Sequence, residues 1–309
     1  MPRSSPETYA ITTAKPADFD AFWAAILAEA DAIPLAPSFE RSALRSTPEV
    51  DVFDVRFTSL GGLRIAAWYC RPAGVRGPLP GLIIVPGYVS EPMLPKVWAK
   101  QGYAVLSLAP RGKLRSNDGF NPGYPGLLTH NIIDRHTYGY RGFYADAYRA
   151  VDVLLSRPEV QRGRIGVHGS SQGGALTVLI AALRPGDIAC GAPGAPYLCG
   201  YMDSAALTHS YPYQEINDYL RLYPEREPAV RQTLDYYDLL NMADRITCPM
   251  LVNIGLEDDV CPPETGYALA RRITNAQVDL HAYPDCAHDA GSAFHGRLVG
   301  EFLAKHLKS

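Results

Sequence analysis

The sequence predicts an α/β fold with a mostly parallel central sheet and helices on both faces. Three observations carry that expectation. Short apolar runs recur between helical stretches, which is the pattern of buried parallel strands joined by helical crossovers. One two-stranded hairpin precedes them, and a glycine-flanked serine stands between a strand and a helix. At 309 residues, 47% hydrophobic and 20% charged, the chain has the composition of a globular protein that buries a large core. No linker or repeat divides it, so residues 1–309 read as one domain, with an N-terminal segment of about residues 1–50 wrapping its surface.

Taken in order, PADFDAFWAAILAEA (16–30) places Phe19, Phe22, Trp23 and Ile26 on one side of a helix. DVRFTSLGGLRIAAWYC (54–70) alternates about Gly61-Gly62, predicting two antiparallel strands at a sheet edge joined by a tight turn. GLIIVPG (81–87), YAVLSLAP (103–110), RIGVHG (164–169), MLVNIG (250–255) and VDLHAYP (278–284) each have the length and branching of a buried strand. Pro, Gly and Tyr are dense from Leu114 to Tyr144 and from Pro196 to Tyr223, which predicts long excursions above the sheet. Ligands of such a sheet gather at the C-terminal ends of its strands.

A net charge of −3 gives no electrostatic basis for binding nucleic acid or an anionic membrane. The expected partner is a small molecule. The first residues lack a basic-then-apolar signal and no apolar run is long enough to span a bilayer, so the chain reads as cytoplasmic. Six scattered cysteines without CxxC spacing read as reduced, packed thiols, with no metal and no cofactor implied.

The sharpest local signal is Gly169-Ser170-Ser171-Gln172-Gly173, between RIGVH and the helix-forming GALTVLIAAL. Strand, turn and helix in that order make a nucleophile elbow, and hence an α/β-hydrolase fold with Ser171 as nucleophile. A serine hydroxyl needs a base to take its proton and an acid to orient the base, in the chain order serine, acid, histidine. Of the histidines after the last strand, His288 lies in a loop, whereas His295 and His306 fall in a closing helix and read as surface residues. The loop LEDDVCPP offers Glu257, Asp258 and Asp259 as acids, and spacing does not choose among them. The backbone N–H of Gln172 and that of Tyr88, in the turn after GLIIVPG, are the oxyanion-hole candidates. Phe120, Tyr124 and Tyr197, with the Tyr88 ring, are candidates for stacking on a bound ligand.

Beyond these features, FDAFW, PGY, Arg111-Gly112, YPGLLTHNIIDRHTYGYRGFYADAYRAVD, GSSQGG, YPYQEINDYLR, GLEDDVCPPET and YPDCAHDAG resemble the acetyl xylan esterase and cephalosporin C deacetylase family of carbohydrate esterases over nearly the whole chain. The resemblance implies a serine esterase that removes acetyl groups from sugars such as xylo-oligosaccharides, and from cephalosporin C. It places the nucleophile on Ser171, the acid on Asp258, the base on His288, and the oxyanion donors on Tyr88 and Gln172. It also implies a homo-oligomer, a hexameric ring. Arg111 and Asp289 are assigned to structural support, Asp289 bracing the histidine loop. Three departures stand out: Lys113 where the family has glutamine, Asp289 where it has glutamate, and Pro86 where histidine is usual. The loop from Lys113 to Tyr124 also looks shortened. The rival readings are a peptidase or amidase on the same fold, and a binding protein that keeps the fold without catalysis.

Overall fold

The computed structural model describes residues 5–75 and 77–308. Among them nine strands form one sheet in the order β1-β2-β3-β5-β4-β6-β7-β8-β9. The first helix, α1 (Phe19–Ala32), buries Phe19, Phe22, Trp23, Ile26 and Ala30, a spacing of three and four residues that lines one helical face. Trp23 Nε1 donates to the Tyr236 carbonyl at 2.8 Å, satisfying the indole as its ring is buried. β1 (Ser38–Arg41) then adds an antiparallel edge strand to β2 (Val50–Thr58), which pairs with β3 (Arg64–Pro72) through Val55 opposite Ala67. The β2–β3 connection is a short 3-10 turn through Leu60–Gly62, longer than a two-residue hairpin.

From β4 (Leu79–Ile84) onward the strands run parallel to one another, with β4 between β5 (Ala104–Ala109) and β6 (Val160–Ser170). α2 (Lys96–Lys100) links β4 to β5, and α3 (Gly139–Leu155) links β5 to β6. α4 (Gln172–Leu183) follows β6 and leads to β7 (Ile188–Gly194). Then come α5 (Tyr201–Leu207), α6 (Gln214–Leu222) and α7 (Glu227–Tyr237). β8 (Met250–Gly255), α8 (Pro263–Arg272), β9 (Val278–Tyr283) and α9 (Ser292–Leu307) complete the chain. Because successive side chains point to opposite faces of a strand, Ile83 and Leu106 pack into the larger core under α1, α3 and α4. Leu82 and Val105 pack into the smaller one with Ala99 of α2 and Val299, Leu303 and Leu307 of α9.

Two strands were not expected from sequence. β1 is short and mostly exposed, so it carries no apolar pattern. β7 reads IACGAPG because α4 lies directly on it. A Cβ at Gly174 of α4 would stand 2.4 Å from the Gly194 carbonyl oxygen, so branched residues have no room. The Leu114–Tyr144 excursion ends where α3 begins, and the Pro196–Tyr223 region is largely helical, as α5 and α6.

Candidate active site

The parallel strands deliver the turns after β4, β6, β8 and β9 to one edge of the sheet. At the end of β6 the chain reverses into α4 within one residue. Ser171 takes φ 59°, ψ −122°, outside the regions open to most L-residues. Neighbouring backbone enforces the turn: Ser171 N donates to Gly194 O at 2.9 Å and Tyr197 N to Ser171 O at 3.2 Å. A Cβ at Gly173 would stand 2.4 Å from the Val85 carbonyl oxygen, so only glycine lets α4 start this close to β4.

After β8, Asp258 is buried, its side chain 1% exposed. Its Oδ1 accepts the backbone N–H groups of Val260 and Cys261, each at 2.8 Å, and its Oδ2 lies 2.9 Å from His288 Nδ1. Of the three adjacent carboxylates it is the one hydrogen-bonded to His288. Glu257 and Asp259 are exposed, and Asp259 accepts from Ser210 Oγ at 2.8 Å instead. His288 is half-exposed, and it lines one cavity of about 670 Å³ together with Ser171. Among the described residues no hydrogen bond joins Ser171 Oγ to the imidazole; such contacts commonly tighten only when substrate is bound. The cavity walls are largely apolar, with Val85, Pro86, Met93, Leu94, Val97 and Trp98 among them.

The buried thiol of Cys261 lies beside the pair, its pKa pushed well above the ordinary value by burial first and by the Asp258 charge second. Asp258, Cys261 and His288 hold their ligating atoms within 4.8 Å of one another. Two of those groups are already hydrogen-bonded to each other, and the third is a buried free thiol packed beside them. The six cysteines are free, five of them buried.

Gln172 N is the first N–H of α4, with no intrahelical acceptor, and Tyr88 N lies in the turn after β4. Neither makes a hydrogen bond among the described residues. The Tyr88 side chain is tied down: its hydroxyl donates to Glu215 Oε1 at 2.8 Å and accepts from Leu128 N at 3.0 Å. Glu215 Oε2 accepts from Gly126 N at 2.8 Å, so α6 braces the Tyr88 turn through a carboxylate that sequence reasoning missed. Lys113 was also missed as a contact. Its Nζ donates to the carbonyl oxygens of Gly87 at 2.8 Å and Tyr88 at 2.5 Å, and burial brings its pKa down to about 8.

Arg111 is 7% exposed and forms a fork with Asp146 of α3 through Nε at 2.9 Å and Nη2 at 2.8 Å, with Nη2 also donating to Leu60 O at 2.9 Å. Gly142 makes room for it, since a Cβ there would stand 2.0 Å from Nη1. Asp289 does not brace the histidine loop: it is exposed and its carboxylate makes no hydrogen bond among the described residues. Asn253 Nδ2 holds that loop by donating to Ala290 O at 2.7 Å, and Glu257 N donates to Cys286 O at 2.9 Å. His295 is buried against Tyr283 rather than on the surface. Tyr197 is fully buried and so has no face for a sugar, while Tyr124 is 53% exposed beside Tyr88.

Known proteins resemble this chain at every level. A family model described as acetyl xylan esterase (AXE1) matches residues 1–306. The acetyl esterase Axe7A of Xylanibacter ruminicola is 32% identical over 293 residues, which are 89% of this chain; the chain spans 64% of that relative's length. An acetyl xylan esterase from Paenibacillus sp. R4 superposes with a TM-score of 0.92 at 33% identity, covering 99% of this chain and 100% of that one. Acetyl xylan esterase 1 from Thermoanaerobacterium sp. gives 0.90 at 30% identity, covering 99% and 98%. An acylaminoacyl peptidase from Pyrococcus horikoshii shares the fold alone, with a TM-score of 0.62 at 19% identity over 84% of this chain and 42% of that one. With a whole-length family match and an α/β-hydrolase sheet that carries the serine elbow, the chain belongs to the acetyl xylan esterase (AXE1) family.

Proposed function

We propose that the protein is a serine carboxylesterase that removes acetyl groups from sugars such as acetylated xylo-oligosaccharides, with acetylated cephalosporins as a further substrate. The observation that carries this reading is the opposition of the strained Ser171 elbow and the His288–Asp258 pair across one cavity. Ser171 Oγ attacks the ester carbonyl carbon while His288 Nε2 takes its proton, and the oxygen gathers negative charge in front of Tyr88 N–H and Gln172 N–H. Collapse of the tetrahedral species passes the proton from His288 to the departing sugar hydroxyl and leaves an acetyl-serine. Water, deprotonated by the same imidazole, then releases acetate. Asp258 accepts a hydrogen bond from Nδ1–H and so leaves Nε2 free as the base. The cycle balances on water alone, with no cofactor or metal.

The same reading takes the protein as cytoplasmic and as a homo-oligomer, a hexamer by family resemblance. The peptidase neighbours, at 19% and 17% identity, share the fold alone and lend the peptidase reading no support. The test is acetate release from acetylated xylo-oligosaccharides by the purified chain, compared with cleavage of a matched peptide amide. Release of acetate with no amide cleavage supports the proposal. Amide cleavage alone would replace it with the peptidase reading.

A further inference from the structure

The Gly87–Tyr88 turn separates two cavities. Gly87 faces the large one that holds Ser171 and His288, and Tyr88 lines a second of about 220 Å³ together with Lys113, Glu91, Arg111 and Tyr124. In a trans peptide the C=O and the N–H point in opposite directions. The oxygen of Gly87 and the N–H of Tyr88 belong to one peptide unit, so a donor that seizes the oxygen from the second cavity turns the N–H away from itself. Lys113 Nζ is that donor, bonded to Gly87 O at 2.8 Å and to Tyr88 O at 2.5 Å. The Lys113 side chain is buried at the start of the loop after β5, and that loop is itself tied to the turn: Leu114 N donates to Glu91 Oε1 at 3.0 Å.

We propose that Lys113 is a positioning residue for ester cleavage: its ammonium fixes the Gly87–Tyr88 peptide so that the Tyr88 N–H faces the oxyanion, and polarises that N–H by bonding to the carbonyl of the same unit. The inference rests on the reading of Ser171 as nucleophile and goes beyond it by assigning a role to a residue that never touches substrate. Hydrogen bonds from an ionised donor are roughly twice as strong as neutral ones, and bonds in series strengthen one another in a low-dielectric site. A cation on this peptide therefore does more than a neutral amide in the same place.

The clamp titrates. Burial brings the Lys113 pKa down to about 8, with Glu91 acting in the opposite sense. The Tyr88 and Tyr124 phenols are held above their ordinary value by burial, with Glu215 adding to it; Arg111 is committed to Asp146. Above about pH 8 the ammonium becomes an amine and the oxyanion donor loses its charged support.

The experiment follows acid release from phenyl acetate by the full chain over roughly pH 6 to 10, for wild type, Ser171→Ala, Lys113→Met, Lys113→Gln and Lys113→Arg, with a thermal melt of each. Ser171→Ala should lose activity by orders of magnitude. Lys113→Met should lower kcat by about tenfold or more with KM nearly unchanged, because the contact matters in the transition state and not in substrate binding. The alkaline fall of kcat in wild type should vanish in Lys113→Met and Lys113→Gln and move to higher pH in Lys113→Arg. Gln, a neutral donor, should recover part of the kcat lost in Met. An alkaline limb that survives in Lys113→Gln overturns the proposal, as does a Lys113→Met enzyme with wild-type kcat. If Lys113→Met does not fold, the Gln and Arg profiles decide alone. If Ser171→Ala matches wild type, the hydrolase reading fails first and the positioning role falls with it.

Discussion

Replacing Asp258 by Asn keeps the shape of the side chain and inverts one contact. Oδ1 accepts two backbone N–H groups, from Val260 and Cys261, each at 2.8 Å. These donors hold an oxygen in that position, because an amide NH2 there would face two N–H groups. The new NH2 must therefore take the place of Oδ2, 2.9 Å from His288 Nδ1. A donor now meets the ring nitrogen that was donating, so the neutral imidazole moves its proton to Nε2 and cannot accept one from Ser171. By the same logic in serine proteases the loss is about 10⁴ in kcat, or roughly 5 kcal/mol of transition-state stabilisation. We expect kcat for p-nitrophenyl acetate to fall by about 10³ to 10⁴, with unfolding free energy changed by about 1 kcal/mol since both backbone contacts survive. Asp259→Asn and Glu257→Gln, at exposed positions, serve as controls and should change kcat less than about twofold. A stable Asp258→Asn protein within tenfold of wild type would refute the assignment of the acid.

Gly173→Ala should abolish activity and lower the melting temperature, because its Cβ would meet the Val85 carbonyl oxygen at 2.4 Å and the elbow must shift; overpacking of this kind costs about 1–3 kcal/mol or more. Arg111→Ala should destabilise by about 3–5 kcal/mol in urea unfolding, since it strands Asp146 as a buried charge; a loss below about 1 kcal/mol would mean that the pair behaves like a surface ion pair. Tyr88→Phe should lower kcat less than tenfold, because the backbone N–H remains, while costing about 1–2 kcal/mol for the lost bonds to Glu215 and Leu128. Stability has its own pH signature at Lys113. Its folded pKa of about 8 lies below the unfolded value, so between about pH 8 and 10.4 the folded state binds fewer protons than the unfolded and wild type gains stability relative to Lys113→Gln, by up to about 3 kcal/mol. Denaturation midpoints across that range that do not diverge would contradict this sign.

How much the sequence reveals follows from the range of each interaction. The elbow is local: strand, two glycines and helix are contiguous, so Ser171 and α4 are legible from their neighbours. The choice of Asp258 over Glu257 and Asp259 is not local, because it depends on which carboxylate the loop buries against His288, thirty residues away. Strand β7 is hidden because its small residues are dictated by α4 lying on it, not by its own propensity. Lys113 stands out in sequence as a departure, a donor-only cation in place of an amide, but its partners do not show there. Its significance needs the fold, which carries the loop after β5 to the turn after β4 and sets a buried ammonium on two carbonyls. At Asp289 it is the family resemblance that implies a brace, whereas in this fold Asn253 on β8 holds the histidine loop.

The most direct test of the account traps the covalent intermediate. The enzyme is mixed with p-nitrophenyl acetate in the millisecond range, quenched in acid and digested, and the peptides are mapped by mass. The account predicts a burst of p-nitrophenol with an amplitude of about one per active site, and an acetyl group on Ser171, absent in Ser171→Ala. An acetyl group found elsewhere, or steady turnover in Ser171→Ala at the wild-type rate, would contradict it.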